Sequence, residues 1–134
     1  MQCIFCDIVN DVKPSLKVWE DDNFLVILDI RPINPGHLLV IPKQHFDDVF
    51  ELPDPLYNGL FQVAKKIAPI LKEATSAARV GMAVEGFGVP HVHLHIVPVN
   101  SGNELNPEKT KELPETELVE MQRKIVLSVM NTKL

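Results

Sequence analysis

Three histidines near the middle of the chain alternate with aliphatic residues: His91, His93 and His95. Alternate side chains of a β-strand point to the same face. A strand over residues 91–97 would therefore place three imidazoles on one side and bury the aliphatic residues between them. A single histidine on an apolar face is usually a hydrogen-bonded core residue, but three in register point to chemistry.

The spacing of these histidines argues against one shared metal ion. The Cα atoms of His91 and His95 would lie ~13 Å apart along a strand, whereas zinc binds imidazole nitrogens at about 2.0–2.1 Å. Divided roles fit better: one imidazole attacks an electrophile while its neighbours fix its tautomer and donate hydrogen bonds. Phosphoryl centres suit such a nucleophile. We predict His93 as the nucleophile and His95 as a donor to a phosphate oxygen.

The loop before the histidines contains Gly86 and Gly88. Glycines let a backbone approach a ligand closely with its N–H groups free, as phosphate-binding loops do. A Gly-x-Gly turn is common by itself, and its position directly upstream of His91 gives it weight.

The two cysteines, Cys3 and Cys6, lie near the N-terminus with two residues between them. In a reducing compartment a structural disulfide is the less favoured interpretation. Half of a zinc site, a redox pair, or two small half-buried residues remain open at this point.

The elements that must position these residues are visible in the hydrophobic pattern. The main helix is predicted over Asp54–Thr75 from one apolar stripe, with Pro69 as the place for a kink or an early end. An antiparallel sheet with helices packed on it, an α+β fold, follows from several strands without βαβ alternation. The strands are predicted at residues 17–19, 24–29, 37–41, 79–85 and 91–97, with a short helical turn at 4–9 and a C-terminal helix opened by Pro114.

Composition limits the class of protein. A chain of 134 residues fits one domain. The net charge of −5 argues against an extended nucleic-acid interface, though not against a mononucleotide. The sequence offers no signal-peptide pattern and no long apolar run, so we expect a cytoplasmic protein without a membrane segment.

The chain resembles the histidine-triad (HIT) family over roughly residues 3 to 98. Residues 91–97 match the His-φ-His-φ-His-φ-φ signature, where φ is hydrophobic. The N-terminal half of the chain also resembles that of the family, in the same order, at residues 3–6, 19–22, 25–35 and 36–43 and at the following His45.

The resemblance implies a HIT-like fold with a five-stranded sheet, a two-fold dimer, and hydrolysis or transfer at a purine nucleoside phosphate. His93 would carry the covalent nucleotide, supported by His91, His95 and the adjacent His37. The implied nucleotide-binding residues are Asp29 for the ribose hydroxyls, Phe5, Ile8, Ile27, Leu28 and Ile30 for the base, and Gly88 and Val89 for the phosphate.

Members with Cys-x-x-Cys resemble a zinc-binding subset of the family. The implied ligands are Cys3, Cys6, His45 and His91, a sulfur and nitrogen set that suits a closed structural zinc site. No organic cofactor is expected.

Two features depart from the family. The phosphate loop is short and lacks the usual Asn and Gln-Ser side-chain donors, so the rate and substrate range are open. Residues 1–134 are predicted to form one domain, with a HIT core at 1–100 and an extension at 101–134 whose helix would cover the site or extend the dimer.

Three functions remain to be distinguished. The first is a hydrolase or nucleotidyl transferase with an adduct on His93. The second is a zinc-dependent hydrolase with the metal on His93 and His95, which lacks an acidic ligand within the triplet. The third is a nucleotide-binding protein without turnover.

Overall fold

The computed structural model describes residues 3–132 and 134. The described residues form five strands and three α-helices, with short 3-10 helices at Val49–Glu51 and Pro107–Lys109. The strands are β1 (Lys17–Glu20), β2 (Phe24–Leu28), β3 (Leu38–Pro42), β4 (Arg79–Ala83) and β5 (Leu94–Val99). The helices are α1 (Ile4–Val9), α2 (Asp54–Thr75) and α3 (Glu115–Thr132).

All five strands form one antiparallel sheet in the order β1-β2-β3-β5-β4. The α+β architecture predicted from the sequence is confirmed. Strand β5, however, begins at Leu94 rather than at His91.

One face of the sheet carries the main core. Every second residue of the central strands points to this face, including Val26, Val40 and Ile96. Helix α2 covers it with the predicted apolar stripe, which includes Leu60, Ile67 and Leu71. Burial of this stripe supplies most of the stabilisation of α2, since a surface helix owes more to tertiary packing than to propensity.

Helix α2 continues past Pro69 and ends at Thr75, so the early end considered from the sequence does not occur. Ser76 follows in the left-handed conformation, with φ of 57°, and caps the helix. Helix α3 packs its buried Leu118, Ile125 and Val129 into the same core as α2.

The opposite face of the sheet carries a smaller apolar cluster. It joins Leu25, Ile27, Leu39 and Ile41 of β2 and β3 to the short helix α1. Because both faces of β2 and β3 are covered, all their residues are buried. The functional side chains lie on this α1 face.

None of the helices within residues 3–132 combines the length and apolar character needed to span a membrane.

Candidate functional site

A cavity of about 550 Å³ opens on the α1 face of the sheet. This volume lies within the range of small-molecule binding sites, which are mostly apolar with a few convergent polar groups. Here the polar groups include His93, His95, His37 and Asp29.

The sheet register sets the cavity floor. Ile27 of β2 pairs with Leu39 of β3, Leu39 pairs with His95 of β5, and His95 pairs with Ala83 of β4. These four residues form a row across the sheet, and all of them line the cavity. Cross-strand neighbours share a face, so His95 is held beside an apolar surface.

His93 is 8% exposed and lies just before β5. Its Nδ1 lies 2.7 Å from the main-chain oxygen of His91. A carbonyl only accepts, so Nδ1 carries the proton and donates it. The neutral imidazole therefore has its lone pair on Nε2, the nitrogen left for attack on an electrophile.

A chain of hydrogen bonds assigns the protons of His37 and His95. The main-chain N–H of Ile33 donates to Nδ1 of His37 at 3.0 Å. Nε2 of His37 must then carry the proton, and it lies 2.9 Å from Nδ1 of His95. His95 accepts at Nδ1, so its own proton is on Nε2, where it can be donated to a ligand.

Burial keeps both of these imidazoles neutral. It lowers the pKa of His37 to about 3, assisted by the nearby His95. It lowers the pKa of His95 to about 4, assisted by repulsion from His93. Protonation of either ring would also put two donors against each other, so the network is stable only in its neutral form.

Asp29 lies at the end of the cavity beside this network. Its Oδ1 accepts from the N–H of Arg31 at 2.9 Å, and its Oδ2 lies 3.6 Å from Nε2 of His37. Burial raises the pKa of Asp29. Its carboxylate has remaining acceptor capacity for ligand hydroxyls.

Asp29, His37 and His95 bring three potential metal-ligating atoms within 4.8 Å of one another. The proton assignment opposes a metal ion here. A cation on Nε2 of His37 would force its proton to Nδ1, which faces the donor N–H of Ile33. The chemistry of this trio is therefore hydrogen bonding.

The glycine loop lies at the mouth of the cavity. Gly86 and Gly88 have φ of 86° and 87°, which side-chain-bearing residues rarely adopt. Gly88 and Val89 line the cavity. A turn of this kind can present main-chain N–H groups to an anion.

A second cluster lies on the far side of His91. Nδ1 of His91 is 3.4 Å from the sulfur atoms of both Cys3 and Cys6 and 3.1 Å from Nδ1 of His45. Nε2 of His91 donates to the carbonyl of Pro42 at 2.8 Å, which leaves a lone pair on Nδ1 inside the cluster. Both cysteines are free thiols.

This donor set fits zinc. Atoms bound tetrahedrally at about 2.0–2.3 Å from one ion lie about 3.3–3.8 Å apart, close to the separations in the cluster. Burial, with the hydrogen bond to Cys3, raises the pKa of the Cys6 thiol to about 11. A bound cation would remove this penalty by stabilising the thiolates. No acidic residue belongs to the set.

All eight residues predicted to bind nucleotide line the cavity. The four predicted metal ligands come together in one cluster. The prediction that all three imidazoles lie on one strand is wrong, because His91 and His93 both precede β5. His93 still lines the cavity with His95, whereas His91 lies in the cysteine cluster and does not line the cavity. Its carbonyl is taken by the side chain of His93 rather than by a neighbouring strand.

A segment that the sequence analysis did not assign to the site forms part of the cavity wall. Leu105, Pro107 and Thr110 line it, and we call residues 104–112 the strap. Glu104 accepts from Asn34 at 2.5 Å, and the N–H of Lys111 donates to Pro32 at 2.8 Å. The strap covers the cavity edge, while α3 packs on the other face of the sheet. Its polar sequence carries no pattern that would have predicted this.

The sequence of the chain is similar to those of known proteins. The HIT domain family model matches residues 10–102. A HIT-like protein of Borreliella burgdorferi is 39% identical over 128 residues, covering 83% of this chain and 92% of its own. An adenosine 5′-monophosphoramidase, HNT1 of Saccharomyces cerevisiae, is 34% identical over 97 residues, covering 72% of this chain and 61% of its own.

Among solved structures, a zinc-bound histidine triad family protein from Mycobacterium smegmatis superposes with a TM-score of 0.86. It is 34% identical, and the match covers 98% of this chain and 96% of that one.

Proposed function

Since the chain belongs to the HIT domain family, we propose that it is a nucleotide hydrolase that cleaves adenosine-type phosphoramidates through a covalent intermediate on His93. The family includes proteins named adenosine 5′-monophosphoramidase. The observation that carries the proposal is the 2.7 Å hydrogen bond from Nδ1 of His93 to the His91 carbonyl, which frees Nε2 for attack.

In the proposed reaction Nε2 of His93 forms a bond to the α-phosphorus, and the P–N bond to the leaving amine breaks. The amine leaves with its bonding electron pair and a proton from water. Water then displaces His93 from phosphorus and yields AMP. The carbonyl of His91 stabilises the imidazolium character of the adduct, because Nδ1–H remains its donor.

The neighbouring groups would orient the nucleotide. Nε2–H of His95 is available to a non-bridging phosphate oxygen, and the N–H groups of Gly88 and Val89 supplement it. Asp29 would accept from the ribose hydroxyls. The purine would lie against the apolar residues Phe5, Ile8, Ile27, Leu28 and Ile30.

We also propose that Cys3, Cys6, His45 and His91 bind one structural zinc ion. Bound there, zinc would link α1 to the segment before β5 and to the loop after β3. The solved zinc-bound relative from Mycobacterium smegmatis supports this assignment. Elemental analysis of the purified chain should find one zinc per protomer, and a Cys3→Ser, Cys6→Ser double variant should lose it.

The domain organisation and the dimer are proposed from the family resemblance. Residues 1–134 would act as one unit, with a HIT core at 1–100 and an extension at 101–134, in a cytoplasmic two-fold dimer. Analytical ultracentrifugation of the full chain tests the dimer.

Intact-protein mass spectrometry tests the central proposal. The protein is mixed with adenosine 5′-phosphoramidate, quenched briefly without acid, and compared with a His93→Ala variant. One AMP on the wild type and none on the variant would support the proposal. Absence of both an adduct and free AMP from the folded wild-type protein would contradict it.

A nucleotide-binding protein without turnover is the second candidate. The short loop of residues 85–90 favours it, because glycine N–H groups replace the amide and hydroxyl side chains usual in the family. This candidate predicts AMP binding by calorimetry with no AMP release from the phosphoramidate.

A further inference from the structure

We propose that the cysteine–histidine cluster and the nucleoside cavity are thermodynamically coupled through α1 and His91, so that zinc and AMP each raise the affinity of the protein for the other. The inference rests on the proposed nucleotide and zinc sites. The new element is the connection between the two sites, which neither site needs in order to bind its own ligand.

Helix α1 belongs to both sites. Cys3 is its N-cap and Cys6 lies in its first turn, with the N–H of Cys6 donating to Cys3 Sγ at 3.4 Å. Phe5 and Ile8, from the same six residues, are buried and line the cavity. A helix of this length is not stable alone, since nucleation outweighs the few hydrogen bonds it gains. Its position therefore depends on what holds its ends.

His91 forms the second connection. Its Nδ1 lies in the cluster, its Nε2 donates to Pro42, and its carbonyl accepts from His93. A metal ion on Nδ1 would fix the imidazole and thereby the backbone at this residue. Because the same carbonyl sets the tautomer and direction of His93, the metal would act on the nucleophile without touching the substrate.

Phe5 spans the two connections. Its ring lies edge-on to His91 with centroids 6.0 Å apart and edge-on to His93 with centroids 5.1 Å apart. A displacement of α1 would therefore change the contacts of this ring with both His91 and His93. One contiguous unit of Cys3, Phe5, Cys6, His91 and His93 thus carries ligands for both occupants.

Coupling follows from the ordering of this unit. A zinc ion that fixes α1 and His91 removes conformational freedom that the nucleotide would otherwise have to remove on binding. The nucleotide then binds more tightly to the zinc-loaded protein. Thermodynamic reciprocity requires that it raise zinc affinity by the same factor.

The main core does not depend on this unit. The cluster packed under α2 and α3 contains none of the residues of α1. Trp19 packs against that core and serves as a reporter of it. We therefore expect the zinc-free chain to stay folded, with the effect confined to the α1 face.

The test measures AMP binding to the full-length chain by titration calorimetry, zinc-loaded and after chelation. We expect AMP to bind at least about fivefold more tightly to the loaded protein, within the usual range of coupling. Competition with a chromophoric chelator, with and without saturating AMP, should give the same factor for zinc.

The outcomes distinguish failure of the coupling from failure of the nucleotide site and from global unfolding. Equal AMP affinity with and without zinc would overturn the coupling while leaving the nucleotide site intact. No AMP binding to the loaded protein would contradict the nucleotide site itself, and the coupling with it. Loss of the native Trp19 fluorescence on chelation would overturn the local route, because the effect would then pass through global unfolding.

A substitution tests the route through α1. Phe5→Leu keeps an apolar side chain and all four zinc ligands but removes the ring contacts to His91 and His93. We expect its coupling factor to fall toward one. The control is Val12→Ala, an exposed position just after α1 that should keep the wild-type factor. An unchanged factor in Phe5→Leu would overturn the assigned role of Phe5.

Discussion

His37 donates from Nε2 to Nδ1 of His95 across 2.9 Å, and this contact determines which nitrogen of His95 carries its proton. Ile33 completes the assignment by donating to the other nitrogen of His37. His37 is 2% exposed and is a positioning residue in the proposed mechanism. Two buried residues of the loop between β2 and β3 thus prepare His95 as the proposed donor to the phosphate.

The His37–His95 contact predicts a graded loss of turnover. His37→Leu removes the donor, so His95 loses its fixed tautomer, and we expect kcat to fall by about 10-fold or more with a smaller change in KM. His37→Gln retains a donor near the position of Nε2 and should recover part of the loss. Steady-state kinetics with adenosine 5′-phosphoramidate measure both. Equal kcat in the two variants would contradict the tautomer argument.

The position of Asp29 predicts that the protein binds nucleotides with ribose hydroxyls more tightly than nucleotides without them. Charge-assisted hydrogen bonds contribute about 1.5–3 kcal/mol, so Asp29→Asn should weaken AMP binding by roughly 10-fold or more. The same change should matter little for a 2′,3′-dideoxy analogue, which lacks the hydroxyls. Calorimetry on both nucleotides gives the comparison, and Asp22→Asn, an exposed carboxylate, is the control. A similar loss for both nucleotides would assign Asp29 a structural role instead.

The buried neutral histidines predict destabilisation in acid. The folded pKa values of His37 and His95 lie near 3 and 4, below the ordinary value of 6.5. The unfolded chain therefore binds more protons below about pH 7, and stability falls as the pH drops through this window. Each histidine accounts for about 2 kcal/mol between pH 7 and 5.

Denaturant unfolding at the two pH values checks this prediction. In His37→Asn the difference between pH 7 and pH 5 should be smaller than in the wild type by about 2 kcal/mol. Groups outside the His37–His95 network, including the proposed zinc ligands, contribute equally to both proteins. The same pH dependence in both proteins would show that His37 does not carry the effect.

The strap predicts an effect on nucleoside affinity. Leu105 lines the cavity and lies over Gly81 of β4, where a Cβ would come within 3.1 Å of its Cδ1. Leu105→Ala opens this wall, so AMP should bind a few-fold more weakly, by about 1 kcal/mol or less since the side chain is partly exposed. Leu127→Ala is the matched control: Leu127 has similar exposure, 48% against 40%, but lies on α3. If both variants bind AMP equally, the strap is not a wall of the occupied site.

The parts of the fold that were predictable share a simple physical signal. Helix α2 was predicted with its observed bounds because one apolar stripe runs its whole length. The strands other than β5 lie close to their predicted ranges, because apolar runs bounded by turn residues mark them in the sequence. The predicted nucleotide-binding residues came from the family resemblance, and all of them line one cavity.

The start of β5 could not be predicted from alternation. Extended residues and ladder-paired residues show the same pattern of side chains, and only tertiary contacts separate them. Here the carbonyl of His91 accepts a hydrogen bond from the side chain of His93, and the imidazole of His91 lies in the cysteine cluster. Strand pairing therefore begins only at Leu94. The position of the strap could not be predicted from the sequence for a related reason. Polar contacts to the loop of residues 31–34 hold it, rather than apolar burial.

The distance along the chain between Cys3 and His91 has a consequence for biosynthesis. These side chains meet although 88 positions separate them, and His45 lies between. During translation Cys3 and Cys6 are made before His45 and His91, so the thiols lack their nitrogen partners until residue 91 has been added. The complete set of proposed zinc ligands therefore forms late, once folding has brought residues 3 and 91 together, and chains truncated before residue 91 would carry two oxidisable thiols without this histidine partner.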